Sequence, residues 1–278
     1  MTPFRIPRHL PGLLLVLPAL ATILLFFALP LAFSVTGAFA TAEGRGLENF
    51  AKAWTLYRRD ILLTLLITGL STVLIGVLAI AIGGYLTLGE NPRAVAILRW
   101  LYRWPLFIPF IVTGQVLRTF LAKNGMMNGA LGWIGAVDPV TASSWLDWRG
   151  IVFAFVWKQT PFVALLLSGA MASLDRGTIE AARNLGAGRL RILWQIVVPQ
   201  VGRALLTGLI LSFVTMMSVL SVPLMINAQS PTMLTANIAF RLNAYGDYGV
   251  ANALGVVSLL MTAAFAAIYL RLSLRDRS

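Results

Sequence analysis

The 278-residue sequence predicts an all-α, polytopic membrane protein with six transmembrane helices. Three observations carry that prediction. Hydrophobic residues make up 58% of the chain and charged residues 12%, with a mean hydropathy of +0.82, where soluble domains run at about 45–50% and about 25%. Apolar runs long enough to cross a hydrocarbon core of about 30 Å recur six times. The 22 Lys and Arg residues are also unevenly spread. Thirteen fall in the tails and loops of one side and seven on the other, and Arg118 and Lys158 lie within spans.

Residues 11–35 form the first expected span, interrupted by Pro18 and Pro30, which membrane helices tolerate when neighbours satisfy the freed carbonyls. This run exceeds the roughly 7–15 apolar residues of a signal sequence, so it is read as a retained helix behind a tail holding Arg5, Arg8 and His9. A polar loop is expected over 43–60. Residues 61–88 contain no charge and form the clearest span. After Glu90-Asn91-Pro92-Arg93, a third span is expected over 100–121, with Arg103 and Arg118 close enough to its ends to snorkel. A polar connection over 122–149 leads to the fourth span, 150–174. The fifth and sixth spans are 201–226 and 251–270, separated by a polar stretch. The resulting division is an N-terminal helix and outer loop over 1–59, a five-helix core over 60–270 and a basic tail over 271–278.

Between the fourth and fifth spans lies a basic, amphipathic interruption, residues 175–200. Thr178 is placed to cap a short helix, Glu180 falls in its first turn beside the positive end of the helix dipole, and Gly186 suits a left-handed stop. A second helix follows, with Leu190, Leu193, Trp194 and Val197 on one apolar face. Pro199 then opens the next helix, where its missing N–H costs nothing. Basic residues favour the cytoplasmic side, which places this segment and both termini there. The same rule accounts for the net charge of +12 without a nucleic-acid partner.

Several chemistries are excluded. There are no cysteines, and the one histidine, His9, sits in the tail, so no catalytic triad or metal cluster can be assembled from them. None of Lys52, Lys123 and Lys158 follows a glycine, so no phosphate-binding P-loop is present. All ten carboxylates are expected in loops or tails, whereas ion-coupled transporters keep ionisable ligands near the midplane. Lys158 costs about 2.5–3.5 kcal/mol to insert. It either snorkels or faces a cavity with Gln159 and Gln115. Gly83, Gly84 and Gly208 are expected to be close helix contacts.

The string Glu180-Ala181-Ala182, Gly186 and Ile196-Val197-Val198-Pro199 resembles the EAA loop of binding-protein-dependent ABC importer permeases, departing only at Val198, where leucine is more usual. The resemblance covers about residues 60–270 and implies the type I ABC importer permease fold. It also implies a bacterial inner-membrane location. Glu180, Ala181, Ala182, Gly186 and Pro199 would couple to ATPase subunits that carry all the hydrolysis, leaving this chain without catalytic residues, metal or cofactor. A second permease subunit, homologous or identical, and an extracytoplasmic solute-binding protein complete the expected assembly, with Gln115, Lys158 and Gln159 as path residues. The segments 123–138 and 245–249 resemble the spermidine/putrescine branch, which implies a polyamine. A polyamine or a related small organic cation is therefore the first expectation, and the acid-free spans make an anionic or zwitterionic solute, such as a phosphonate or a ferric complex, the alternative. A secondary transporter and an intramembrane enzyme are the remaining rivals.

Overall fold

In the computed structural model, residues 10–138 and 141–275 are described. His9, the basic residues before it and residues 276–278 of the tail lie outside the described residues. The chain opens with α1 (Leu10–Ile23), which passes through a π turn at Leu24–Ala28 into α2 (Leu29–Ala38). The π turn falls just before Pro30. The Leu29 amide reaches back to the Leu24 carbonyl, a wider turn that makes room for a residue with no N–H of its own. A hairpin of β1 (Ala40–Thr41) and β2 (Gly44–Arg45) then leads into α3 (Glu48–Leu88). This 41-residue helix corrects two expectations. Most of the loop placed at 43–60 is helical, and Asp60 is a buried helical residue instead of a loop carboxylate. Its carboxylate accepts from the Thr232 amide at 2.8 Å and from the Ser230 hydroxyl at 3.1 Å, so it is satisfied without a cation. Next to it, Thr64, Thr68 and Thr72 each donate to the carbonyl four residues back, which lets a polar stripe be buried.

The third expected span is not one helix. It consists of α4 (Pro92–Leu101), a 3₁₀ turn at Trp104–Phe107, and α5 (Phe110–Leu121) continued by α6 (Met126–Trp133), with a bend of 105° between the two halves. Pro109 forces Ile108 into an extended conformation (φ −92°, ψ 121°), and Pro105 removes a second donor, so the helix cannot run through. The fourth span is α7 (Trp148–Ala172). It is the hub: 67% of its apolar window is buried, against 28% for Arg189–Ser218 and 22% for Tyr248–Ala267. Phe155, Val163 and Leu167 project from it into the core with Ile67, Ile75 and Met216. Gly208 packs where a Cβ would lie 3.2 Å from Val163, and Gly83 where one would lie 3.0 Å from the Met171 sulfur. Both are close approaches that a larger residue would disturb.

After α8 (Arg176–Asn184), the chain continues as α9 (Arg189–Ile192), a π turn at Leu193–Val197 and α10 (Val198–Ser218). Helix α11 (Ser221–Ile226) follows a break at Val219, so the fifth expected span ends at Ser218, short of residue 226. Helices α12 (Leu234–Asn243) and α13 (Tyr248–Arg275) complete the chain. Among the described residues five helices are long and apolar enough to cross a membrane, and the number is six if the bent pair is one broken span.

The chain divides into two compact units. The first contains residues up to Leu56 with Ile238–Val257. In it Asn49 donates to the Ala38 and Ala40 carbonyls, Ser34 donates to Asn252, and Arg241 pairs with Asp247 at 3.2 Å. The second contains Tyr57–Asn237 with the residues from Ser258 onward, and holds the main core together with the 175–200 segment.

Candidate functional site

The first helix of the 175–200 segment begins three residues earlier than the sequence suggests. Asp175, not Thr178, is the N-cap: its carboxylate accepts from the Gly177 amide at 3.0 Å, and the Thr178 hydroxyl donates to it at 3.1 Å. The Gly177 amide first, and then the Thr178 hydroxyl, hold the Asp175 carboxyl below the usual aspartate range. Because helix α8 starts at Arg176, Glu180 stands in its second turn and not its first.

Two faces of α8 then separate. Ile179 is buried and Ala182 is half-buried against the core, while Glu180, Ala181 and Leu185 are exposed. The helix stops as expected. Gly186 adopts φ +82°, its amide donates to the Arg183 carbonyl at 2.9 Å, and the Ala187 amide donates to the Ala182 carbonyl at 3.0 Å. These are the two bonds of a Schellman stop.

Past the stop, the helical register differs from expectation. Ile192, Leu193 and Val197 are buried, and Leu190 and Trp194 are 74% and 58% exposed. A π turn follows: the Val198 amide bonds the Leu193 carbonyl five residues back, adding a residue to the turn before Pro199. Pro199 therefore sits in a continuing helix and does not start a new one.

The segment is tied to the end of α3. Arg183 donates to the Leu88 carbonyl at 3.4 Å, Arg189 pairs with Glu90, and a Cβ on Gly84 would lie 2.8 Å from Leu193. Sequence reasoning missed Glu90 and Leu88 as anchors. The signal available was that Glu90 is the one acid in the short connection 89–91 after the second span.

The expected path residues separate. Lys158 is 8% exposed, and its ammonium donates to the Pro105 carbonyl at 2.5 Å and the Leu106 carbonyl at 3.2 Å, with the Phe110 ring centroid 5.3 Å away. It neither snorkels nor opens to a cavity; it holds the bend between α4 and α5. Gln159 is also buried. Gln115 is exposed on α5, one turn from the exposed Arg118, which donates to the Met225 carbonyl at 3.3 Å. Among the described residues no group of three or more His, Cys, Asp or Glu could hold a metal.

Comparisons with known proteins bear on this geometry. Residues 79–275 match the family model described as "Binding-protein-dependent transport system inner membrane component". The chain is 26% identical to the trehalose/maltose transport system permease protein MalF of Thermococcus litoralis, over 94% of this chain and 92% of that protein. It is 26% identical to the putative 2-aminoethylphosphonate transport system permease protein PhnU of Salmonella paratyphi A, over 93% and 90%. Against the spermidine/putrescine transport system permease protein PotB of Escherichia coli the identity is 26%, over 68% and 71%. In fold, the chain is similar to one in the crystal structure of a bacterial alginate ABC transporter in complex with its alginate pentasaccharide-bound periplasmic protein. That match has a TM-score of 0.81 and 20% identity over 97% of this chain and 96% of the other.

Proposed function

The chain belongs to the family of binding-protein-dependent transport system inner membrane components, the permeases of ABC importers, and from that premise we propose that Glu180, Ala181, Ala182 and Gly186 form its contact with a separate ATPase subunit. One observation carries the reading: α8 is a short amphipathic helix that is firmly anchored on one face and stopped by a left-handed glycine, yet leaves Glu180 and Ala181 exposed. Its anchors run through Ile179 into the core and through Arg183 to the end of α3. Pro199 contributes through the π turn that fixes the register of the following helix.

In the proposed mechanism, two permease subunits enclose the path and a solute-binding protein delivers the substrate from outside. Closure of two ATP-loaded ATPase subunits draws the docked α8 helices together. The anchored helices α3 and α7 follow as rigid bodies, switching the path from inward- to outward-facing. ATP hydrolysis takes place on the ATPase. This arrangement puts α8 and both termini on the cytoplasmic side.

For the substrate, the reading we favour is a small polar organic solute without net positive charge. The relatives that match over more than nine-tenths of this chain carry sugar and phosphonate names. The exposed polar stripe of α5, Gln115 with Arg118 and Thr119, offers amide, cation and hydroxyl and no acid, and two like charges at about 4 Å repel by roughly 4 kcal/mol at an effective dielectric near 20. Gln115 is accordingly our path residue, while Lys158 holds the bend that precedes α5 and Gln159 is buried. A polyamine is the second reading, favoured by the spermidine/putrescine relative and the likeness of segments 123–138 and 245–249.

The test of coupling is co-purification of the ATPase with wild type and Glu180→Ala, alongside ATP-dependent uptake. Association and uptake both undiminished in the variant would overturn the contact. Competition for uptake by putrescine, 2-aminoethylphosphonate and a disaccharide decides the substrate class, and inhibition by putrescine alone would overturn the favoured one.

A further inference from the structure

Behind α8 the ends of α3, α4 and α7 leave a cavity of about 370 Å³. Its lining includes Arg99, Arg103, Arg176 and Arg183, with Tyr102 and a single acid, Glu180. None of the four arginines forms an ion pair among the described residues. Arg183 donates to the Leu88 carbonyl, and Arg103 donates to the Tyr102 hydroxyl at 3.3 Å; both are neutral acceptors. Four cations against one carboxylate in a polar recess call for an anion, and guanidinium groups match phosphate oxygens in geometry as well as charge.

The recess is not closed on itself. Arg99 and Arg103 also line an adjoining apolar trough formed with Trp100, Trp104 and Phe107. These three rings are 62%, 52% and 83% exposed, and the two tryptophans meet edge to face at 4.8 Å. Trp beside Arg at the end of a membrane span marks the headgroup level. A free anion would fill the recess and leave the trough bare, and an acidic side chain of a soluble partner would do the same. A molecule with an anionic head and an apolar body covers both.

We propose that this recess and trough bind an anionic phospholipid, its phosphate among Arg99, Arg103, Arg176 and Arg183 and its acyl chains along Trp100, Trp104 and Phe107. Basic pockets between helices at the membrane surface take such headgroups. Bound there, the lipid packs against the inner side of α8 while Glu180 remains at the rim, so the lipid composition of the membrane sets how firmly the coupling helix is seated. The site shares Glu180 at its rim with the proposed ATPase contact, but its headgroup ligands Arg99, Arg103, Arg176 and Arg183 are other side chains, and the lipid-retention test does not require that contact.

The experiment uses the full chain purified with its ATPase and reconstituted in nanodiscs of phosphatidylcholine or of an equal mixture with phosphatidylglycerol. Retained lipid is measured by native mass spectrometry, and the melting midpoint is recorded in each membrane. Wild type should retain phosphatidylglycerol and melt higher in the mixture. The double variant Arg99→Gln, Arg103→Gln should hold phosphatidylglycerol about thirtyfold more weakly, the expected loss for two basic residues at an anionic surface. Its midpoint in pure phosphatidylcholine should match wild type, which shows that it folds. Equal phosphatidylglycerol retention by wild type and variant overturns the proposal. An equal midpoint rise with inorganic phosphate alone makes this a free-anion site and also overturns it. Loss of ATPase from the double variant with phosphatidylglycerol retention unchanged assigns the arginines to a protein contact, and overturns it as well.

Discussion

Gly186→Val isolates the stop of α8 from everything around it. Gly186 has φ +82°, a region that costs an L-residue about 1–2 kcal/mol and more when it is β-branched. A Cβ built at this position meets nothing within 4 Å, so the penalty is conformational and not a clash. The chain has two ways to respond. It can hold the strained turn, or it can release it and lose the Gly186 and Ala187 amide bonds to Arg183 and Ala182, each worth about 1 kcal/mol. Both routes cost about the same, and 1–2 kcal/mol corresponds to a factor of about 5–30 in the population of the docked geometry. Gly188 supplies the control, because it has φ −70° with nothing near its Cβ and caps α9, a position where serine is favoured. ATPase co-purification and uptake should therefore fall about 5- to 30-fold in Gly186→Val and stay at wild-type level in Gly188→Ser, with membrane levels equal by immunoblot. Equal behaviour of the two variants would refute the argument, since only the left-handed backbone separates them.

Three further outcomes follow from individual contacts. The Asp175 carboxyl is held below its ordinary value by the Gly177 amide and the Thr178 hydroxyl, so its contribution is complete above the unfolded aspartate value near 3.8 and is lost as pH falls through the lower, folded one. Hydrogen exchange of the α8 amides should stay slow down to that window and then speed up in wild type, while Asp175→Asn, which still caps but does not titrate, should show no such step. Lys158→Met leaves the Leu106 carbonyl without its donor, whereas the Pro105 carbonyl keeps the Ile108 amide at 3.3 Å. The loss of about 1–3 kcal/mol is largely offset by no longer burying an ammonium, about 2.5–3.5 kcal/mol. The melting midpoint should move little while exchange at 104–110 rises, and unchanged exchange there would show that the lysine does not hold the bend. Asp60→Ala strands the buried Thr232 amide and should lower stability by about 1–3 kcal/mol in denaturant titration, a loss that Asp60→Asn should partly recover.

What the sequence disclosed and what it hid divide along a physical line. Gly186 was legible because a left-handed backbone selects glycine locally, and the membrane helices were legible because hydropathy accumulates over about 20 residues. The broken third span carried its own signal in Pro105 and Pro109, but an apolar window averages over prolines and reads the stretch as continuous. The face of α9 was not legible either: Leu193 and Val197 pack inward while Leu190 and Trp194 point outward, and apolar side chains alone do not tell which of them meet the core. Fully hidden were contacts made across the sequence, such as Lys158 to Pro105 over 53 residues and Asp60 to Thr232 over 172. No local pattern distinguishes a lysine that binds carbonyls from one that faces water.

That blind spot matters for reading the proposed path. A charged residue in a span suggests solute binding by default, yet the two buried charges among the described residues of the spans are spent on the protein itself. Lys158 neutralises carbonyls freed by a break, and Asp60 gathers an amide and a hydroxyl. Their desolvation is already met by fixed partners, so using either one for a passing solute would mean breaking those bonds at each cycle. Gln115 carries no such commitment of its side chain among the described hydrogen bonds, and the neighbouring Arg118 is held by one neutral carbonyl at 3.3 Å. Under the proposed function, discrimination between solutes then rests on the exposed face of α5, and the most conspicuous ions in the sequence serve to keep that face where it is.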